Sequence, residues 1–163
     1  MAPDPRAATS SNASERSEAR PAFARPGWRD GWYVVPWEVT WRDVDAMGHV
    51  NNAVYFTYFE WARTKYWMAL EGIGDPHDIG FIVAHAACDF RAELSLLERI
   101  EIRVRIGSIG TSSLEFQSEI ASETGGKIAA TGRVVVVLFD WASRAKIPVS
   151  EELRGRIERF QSA

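Results

Sequence analysis

From Tyr33 to Trp41 the chain reads YVVPWEVTW, and its apolar and polar positions alternate. Trp37, Val39 and Trp41 share one face, and Glu38 and Thr40 share the other. Period-two alternation predicts a half-buried strand, with Pro36 near its start or on an edge. The period changes at residue 53. AVYFTYFEWARTKYWMALE, residues 53 to about 71, holds no Gly or Pro and reads as a helix. Its polar positions Thr57, Glu60, Thr64 and Glu71 form one narrow stripe, with apolar residues nearly all round the rest. A helix this apolar is expected to be wrapped by other elements. GIGDPHDIG, with three glycines and a proline, ends it.

Four strand patterns follow. FIVAHAACDFRAEL is the first. RIEIRVRIG alternates strictly, Ile100, Ile102, Val104 and Ile106 against Arg99, Glu101, Arg103 and Arg105. SSLEFQSEIAS sets Leu114, Phe116 and Ile120 against Glu115, Gln117 and Glu119. The polar face of the first of these two alternating strands is mainly basic and that of the second acidic, so antiparallel pairing places opposite charges across from each other. IGTS and TGGK supply turns. KIAATGRVVVVLFDW is long, and Gly132 inside it predicts a bend or bulge. VSEELRGRIERF closes the chain as a short helix, with Ser150 as N-cap and Glu151 and Glu152 at the positive end of the dipole.

Strand, long apolar helix, then four strands with tight turns describe an α+β domain, an antiparallel sheet curled around one long buried helix. Such a sheet leaves an edge that must be paired or blunted, so a second subunit extending the sheet is expected.

Composition narrows the function classes. A chain of 163 residues with 46% apolar and 25% charged residues fits one soluble domain. Residues 29–163 carry the patterned elements, and residues 1–28, rich in Ala, Ser, Arg and Pro, read as a disordered tail without the apolar core of a secretory signal. A net charge of −3 argues against a large nucleic-acid footprint. No apolar run approaches the ~20 residues of a membrane span. The single cysteine, Cys88, sits in the apolar stretch AHAACDF and reads as an inert buried thiol, in keeping with a reducing, cytoplasmic setting. No multi-cysteine metal site is available to it.

The chemistry concentrates at the junction of the first strand and the helix. WRDVDAMGHVNNAVY places Asp43, Asp45, Gly48, His49, Asn51 and Asn52 between the two most apolar segments. Gly48 permits a positive φ. Asn51 or Asn52 can cap the helix, whose first N–H groups have no intrahelical partner. Such a terminus can hold a phosphate or polarise a carbonyl oxygen, and a nearby carboxylate can attack that carbonyl or activate water. The residues alone leave two readings open, a helix cap and an acyl-transfer site.

TWRDVDAMGHVNNAVYFTYFEWAR resembles the opening motif of hotdog-fold acyl-CoA thioesterases, and is closest to the 4-hydroxybenzoyl-CoA thioesterase-like branch. The branch's D-x-D-x-x-G-x-V-x-x-x-x-Y pattern is met by Asp43, Asp45, Gly48, Val50 and Tyr55. The resemblance runs from about residue 33 to 149, and its GHVNN form is common in members acting on fatty acyl-CoA or acyl-carrier-protein thioesters. It implies Asp45 as the catalytic carboxylate, either nucleophile or general base, and the backbone N–H near Asn52 as oxyanion donor. It implies loop shaping by Asp43 and Gly48, cap or pocket roles for Asn51 and Asn52, and substrate positioning or packing by His49 and Tyr55. A second branch uses a helix-borne Glu, which makes Glu60 the fallback acid; its plain alternative is an ion pair with Arg63 or a hydrogen bond with Thr64. His85 reads as a core residue and His77 as a solvated turn residue. Of the helix aromatics, one or two are expected to line an acyl pocket. The resemblance further implies an acyl-CoA substrate, no metal or redox cofactor, and a homodimer or homotetramer with the site at the subunit interface. The turn SIGT carries no basic residue for the CoA phosphates, so Arg103, Arg105, Arg144 and Lys146 are the candidates, and CoA and a carrier-protein arm both stay open. A hotdog module that binds acyl thioesters without turnover is the alternative function.

Overall fold

The structure, a computed structural model, describes residues 24–123 and 126–162. Seven strands and two α-helices follow in order, with one 3-10 turn at Pro76–Asp78 after α1: β1 Gly27–Arg29, β2 Trp32–Glu38, α1 Asn52–Glu71, β3 Phe81–Phe90, β4 Arg99–Ile109, β5 Ser113–Ser122, β6 Ile128–Asp140, β7 Ala145–Lys146 and α2 Glu151–Gln161. The sheet order is β1-β2-β4-β5-β6-β3, with β7 paired to β6, and all these pairs are antiparallel. Most of the expected tail, residues 1–23, lies outside the described residues, and β1 takes up the end of it, Gly27 and Trp28.

The alternation read from β4 and β5 is the alternation observed. Ile100, Ile102, Val104, Leu114, Phe116 and Ile120 are buried, while the charged residues face outward. Arg103 faces Glu119 across the β4–β5 pair, and their charged groups approach to 3.8 Å. Arg133 on β6 meets Glu115 on β5 at 3.0 Å.

Helix α1 packs against one face of the sheet, touching β2, β3 and β4. Tyr55, Tyr58, Phe59, Ala62, Tyr66, Trp67 and Leu70 pack into the sheet. Tyr66 sits at the centre of an edge-on aromatic cluster, with ring centroids 5.8 Å from Tyr33, 5.6 Å from Phe116 and 5.2 Å from Phe160. The opposite flank of the helix is open within this chain. Phe56 and Trp61 are 38% and 39% exposed, so one chain does not wrap its helix completely.

Several expectations change. Trp41 is 80% exposed, because β2 ends at Glu38 and Trp41 falls in the following turn, while Val39 alone stays fully buried. The strand expected over residues 81–94 stops at Phe90. His85 is exposed on β3 rather than in the core. Gly132 makes neither bend nor bulge, since it holds regular register with Cys88 and Ser118. A side chain there would overlap the Phe59 ring, so the glycine opens the sheet surface for the helix. The irregularities fall at Val83/His85, Ile106/Ser108 and Ile120/Ala121 instead.

The bulge at Ile106 is closed from outside the sheet. Gln161, the last residue of α2, accepts from the Ile106 N–H at 2.7 Å and donates to the Ile106 carbonyl at 3.2 Å. Its Oε1 also accepts from the Tyr66 hydroxyl at 3.1 Å. An amide side chain thus completes backbone bonds that the bulge left open. At the other end of α2, Ser150 caps the helix through the Leu153 N–H. No helix among the described residues is long and apolar enough to cross a membrane.

Candidate active site

The loop between β2 and α1 is held by its own polar groups. Asp43 Oδ2 accepts from the Thr40 N–H at 2.7 Å and the Thr40 hydroxyl at 2.9 Å. The Asp43 carbonyl accepts from the Asn51 N–H at 2.8 Å. Tyr58 lies buried beneath; burial first, then the Asp43 carboxylate, push its phenol pKa far above the ordinary value. Asp43 is therefore spent on the loop and on the helix entry.

Asp45 opens a tight turn that closes at His49. The Gly48 N–H donates to the Asp45 carbonyl and the Asp45 N–H to the His49 carbonyl, each at 3.0 Å. Gly48 sits at φ +87°, a conformation that strains any residue with a Cβ. The Asp45 side chain accepts from the Met47 N–H through Oδ1 at 2.8 Å, leaving Oδ2 without a hydrogen bond among the described residues.

Asn51 rather than Asn52 caps α1. Its Oδ1 accepts from the Ala53 N–H at 3.0 Å, and its carbonyl accepts from the Val54 N–H at 2.9 Å. The Asn51 N–H is bound to Asp43. The Asn52 N–H, the first of the helix proper, meets no acceptor among the described residues.

These groups border one recess of about 460 Å³, lined by Asp45, Met47, His49, Val50, Asn52 and Tyr55 on one side. Phe90, Arg91, Ala92 and Glu93, from the end of β3 and the connection after it, form the other side. Long-range contacts hold the two sides together. The Val50 N–H donates to the Leu94 carbonyl at 2.9 Å, and His49 forms a backbone bridge with Ser95. His49 Nε2 lies 3.1 Å from Glu93 Oε2. Tyr55, 3% exposed, packs edge-on against Phe90 at 5.1 Å and donates to the Ala92 carbonyl at 3.4 Å. Burial first, then Cys88, Glu98 and Glu93, raise its phenol pKa, so the hydroxyl stays a donor.

Phe90, Arg91 and Glu93 were not singled out from the sequence. They fall in DFRAEL, which reads locally as the end of a strand, and no local signal joins position 93 to position 49. Arg91 is the cation that borders this recess. The four basic residues expected at the CoA phosphates do not border it. Arg103 is paired with Glu101 at 3.1 Å, and Arg105 stacks 4.3 Å above the Trp32 ring. Arg144 and Lys146 belong to the hairpin that joins β6 to β7.

Glu60 lies away from Asp45, in a smaller recess beside β3. Neither the expected ion pair with Arg63 nor a hydrogen bond with Thr64 is formed. His77 is 94% exposed and held by Asp75 at 2.7 Å. Burial first, then Asp89, push the Cys88 thiol up to about 11, which keeps it protonated and poorly nucleophilic. Among the described residues, no three His, Cys, Asp or Glu side chains gather as a metal site.

Comparison with known proteins assigns the family. Residues 39–157 match the model of the thioesterase-like superfamily. The chain is 26% identical over 122 residues to the long-chain acyl-CoA thioesterase FadM of Escherichia coli (strain K12), covering 72% of this chain and 90% of that one. It is 30% identical over 114 residues to the uncharacterized protein YsmA of Bacillus subtilis (strain 168), covering 70% of this chain and 77% of that one. A thioesterase from Thermus thermophilus, whose crystal structure holds coenzyme A and Zn, superposes with a TM-score of 0.72 at 30% identity, covering 82% of this chain and 96% of that one. The chain belongs to the thioesterase-like superfamily and is a thioester hydrolase of the hotdog fold.

Proposed function

We propose that the protein hydrolyses a fatty or aromatic acyl-CoA thioester to the free acid and CoA at the recess beside Asp45. The observation that carries this reading is the meeting of a carboxylate with a free Oδ2 and an unpaired helix-start amide at Asn52, both on the border of one partly apolar recess. The likeness to the acyl-CoA thioesterase FadM supports the substrate class.

In this reading the Asn52 N–H and the positive end of α1 polarise the thioester carbonyl. Asp45 then acts in one of two balanced ways. As nucleophile, it forms an acyl-aspartyl anhydride and expels CoA thiolate, and water later cleaves the anhydride. As general base, it takes a proton from water, whose oxygen attacks the carbonyl and expels the thiolate. Met47, Val50, Tyr55 and Phe90 supply apolar wall for the acyl group, and Arg91 meets the CoA phosphates. His49, beside Glu93, positions the thioester. Asp43, Gly48 and the Asn51 cap hold the loop.

The reading includes a homodimer. Among the described residues no strand pairs with the outer side of β3, the end strand of the sheet, and its residues 82–87 are exposed and include no Asp, Glu, Lys or Arg. A long uncharged edge strand invites pairing with a second copy of itself. Because β3 ends at the recess, that copy would complete its wall.

The test is free-thiol release from short, long and aromatic acyl-CoA esters by the wild type, Asp45→Asn and Asp45→Ala. Both variants are expected to fold and to lose at least ~10³-fold in kcat, the scale on which an essential catalytic group acts. Full activity in either variant overturns the role of Asp45. Acyl-CoA binding by the wild type without thiol release overturns the substrate assignment. Label recovered in Asp45 after a single turnover in ¹⁸O-water identifies the anhydride route, since water attack at the aspartyl carbonyl of the anhydride places it there and the general-base route places it only in the released acid.

A further inference from the structure

Arg63 is 6% exposed, yet its Nε has no hydrogen-bond partner. Its guanidinium lies 6.0 Å from the Phe81 ring centroid, a contact that does not satisfy the Nε–H donor. Burial lowers its pKa and the Glu60 carboxylate raises it; a guanidinium under such opposing influences stays charged. A buried charge without a partner is costly. The helix would tolerate Leu or Met at this position without that cost.

Arg63 borders a recess of about 170 Å³ with Phe56, Glu60, Val83, Ala86 and Val134. Glu60 is exposed one turn earlier on the same helix and makes no ion pair within 4.0 Å among the described residues. The surroundings are apolar and open. Phe56 is 38% exposed and Val83 50% exposed, and the unpaired edge of β3 runs alongside. The face thus carries one acid and one base a single turn apart, set in exposed apolar surface.

That arrangement is self-complementary. A two-fold axis that joins two β3 edges antiparallel also sets the two α1 helices antiparallel, face to face. With the axis passing beside Val83 and Ala86, which border the same recess, the acid of each helix faces the base of the other. A small anionic ligand fits less well, because Glu60 at the same recess repels it.

We infer that the occupant of this face is a second copy of the chain, with Glu60 of each protomer paired to the buried Arg63 of its partner across the dimer axis. The inference rests on the edge-paired dimer proposed above and adds the polar contact that fixes its register. Buried charge pairs are well suited to that purpose, since a shifted alignment leaves both ions unpaired. The Phe56 rings and the Val83 side chains close around the pair and exclude water.

Sedimentation equilibrium of wild type, Glu60→Arg, Arg63→Glu and the double exchange tests the pairing. The wild type is expected to be a dimer. Glu60→Arg gathers four like charges at the axis and is expected to weaken dimerisation at least about tenfold. Glu60 is exposed, so this variant folds, and far-ultraviolet circular dichroism checks it. The double exchange is expected to recover most of the loss. A dimeric wild type with Glu60→Arg unchanged overturns the pairing and leaves the edge-paired dimer standing. A monomeric wild type overturns both. An Arg63→Glu chain that does not fold removes only the double-exchange arm, because Glu60→Arg and Glu60→Gln decide the matter without it. Recovery of the Glu60→Arg dimer by added phosphate or acetate, with no recovery in the double exchange, assigns Arg63 to an anion and overturns the pairing.

Discussion

Asn51 and Asp43 are joined at 2.8 Å through the Asn51 N–H and the Asp43 carbonyl, while the Asn51 side chain caps the helix that follows. One residue therefore ties the carboxylate loop to the helix start. Asn51→Ala is expected to destabilise the fold by about 1 kcal/mol, the usual scale for a lost cap, and Asn51→Asp to retain most of it. Urea unfolding measures this. In the proposed mechanism Asn51→Ala also lowers kcat more than it raises KM, because the Asn52 amide loses its aim.

Gly132 lies under Phe59, where a Cβ would overlap the ring. Gly132→Ala is expected to cost about 1–3 kcal/mol through overpacking. If the overlap is the cause, pairing it with Phe59→Leu gives less than additive destabilisation. A double-mutant cycle from denaturant midpoints reads the coupling.

Gln161 serves three partners at the Ile106 bulge: an N–H, a carbonyl and the Tyr66 hydroxyl. Gln161→Ala leaves these groups unsatisfied in or near the core and is expected to cost about 2–3 kcal/mol, well above the value of one ordinary hydrogen bond. Hydrogen exchange at the Ile106 amide is expected to accelerate along with the fall in unfolding free energy.

Stability is expected to fall as pH rises above about 9. The Cys88 thiol is pushed from 9.0 up to about 11 in the folded chain, chiefly by burial. Burial also raises the phenols of Tyr33, Tyr55, Tyr58 and Tyr66 above 10.0. Between the unfolded and folded values the unfolded chain has already released protons that the native chain still holds. Unfolding is then linked to proton release, and each increase in pH favours it. Below pH 9 both states are protonated and these groups contribute no slope. Urea midpoints at pH 8, 9 and 10 check the trend, and Cys88→Ala is expected to delay its onset.

What was legible in the chain was what neighbouring residues decide. The 20-residue helix, its Asn cap, the four long strands and the opposed charges of β4 and β5 follow from periodicity and local hydrogen bonding, which act over a few residues. The motif from Asp43 to Tyr55 was legible for the same reason, because its turn and cap close within 13 residues. Other features needed the tertiary structure. Glu93 meets His49 and Phe90 meets Tyr55 only because the sheet returns β3 to the loop. Gly132 looks like a strand breaker until Phe59 arrives from a helix more than 70 residues earlier. Gln161 looks like an ordinary helix end until the Ile106 bulge presents bare backbone to it. Local pattern sets which face of an element is apolar, but which distant groups share that face depends on packing, and packing decided the far wall of the recess and left Arg63 Nε buried without a hydrogen-bond partner among the described residues.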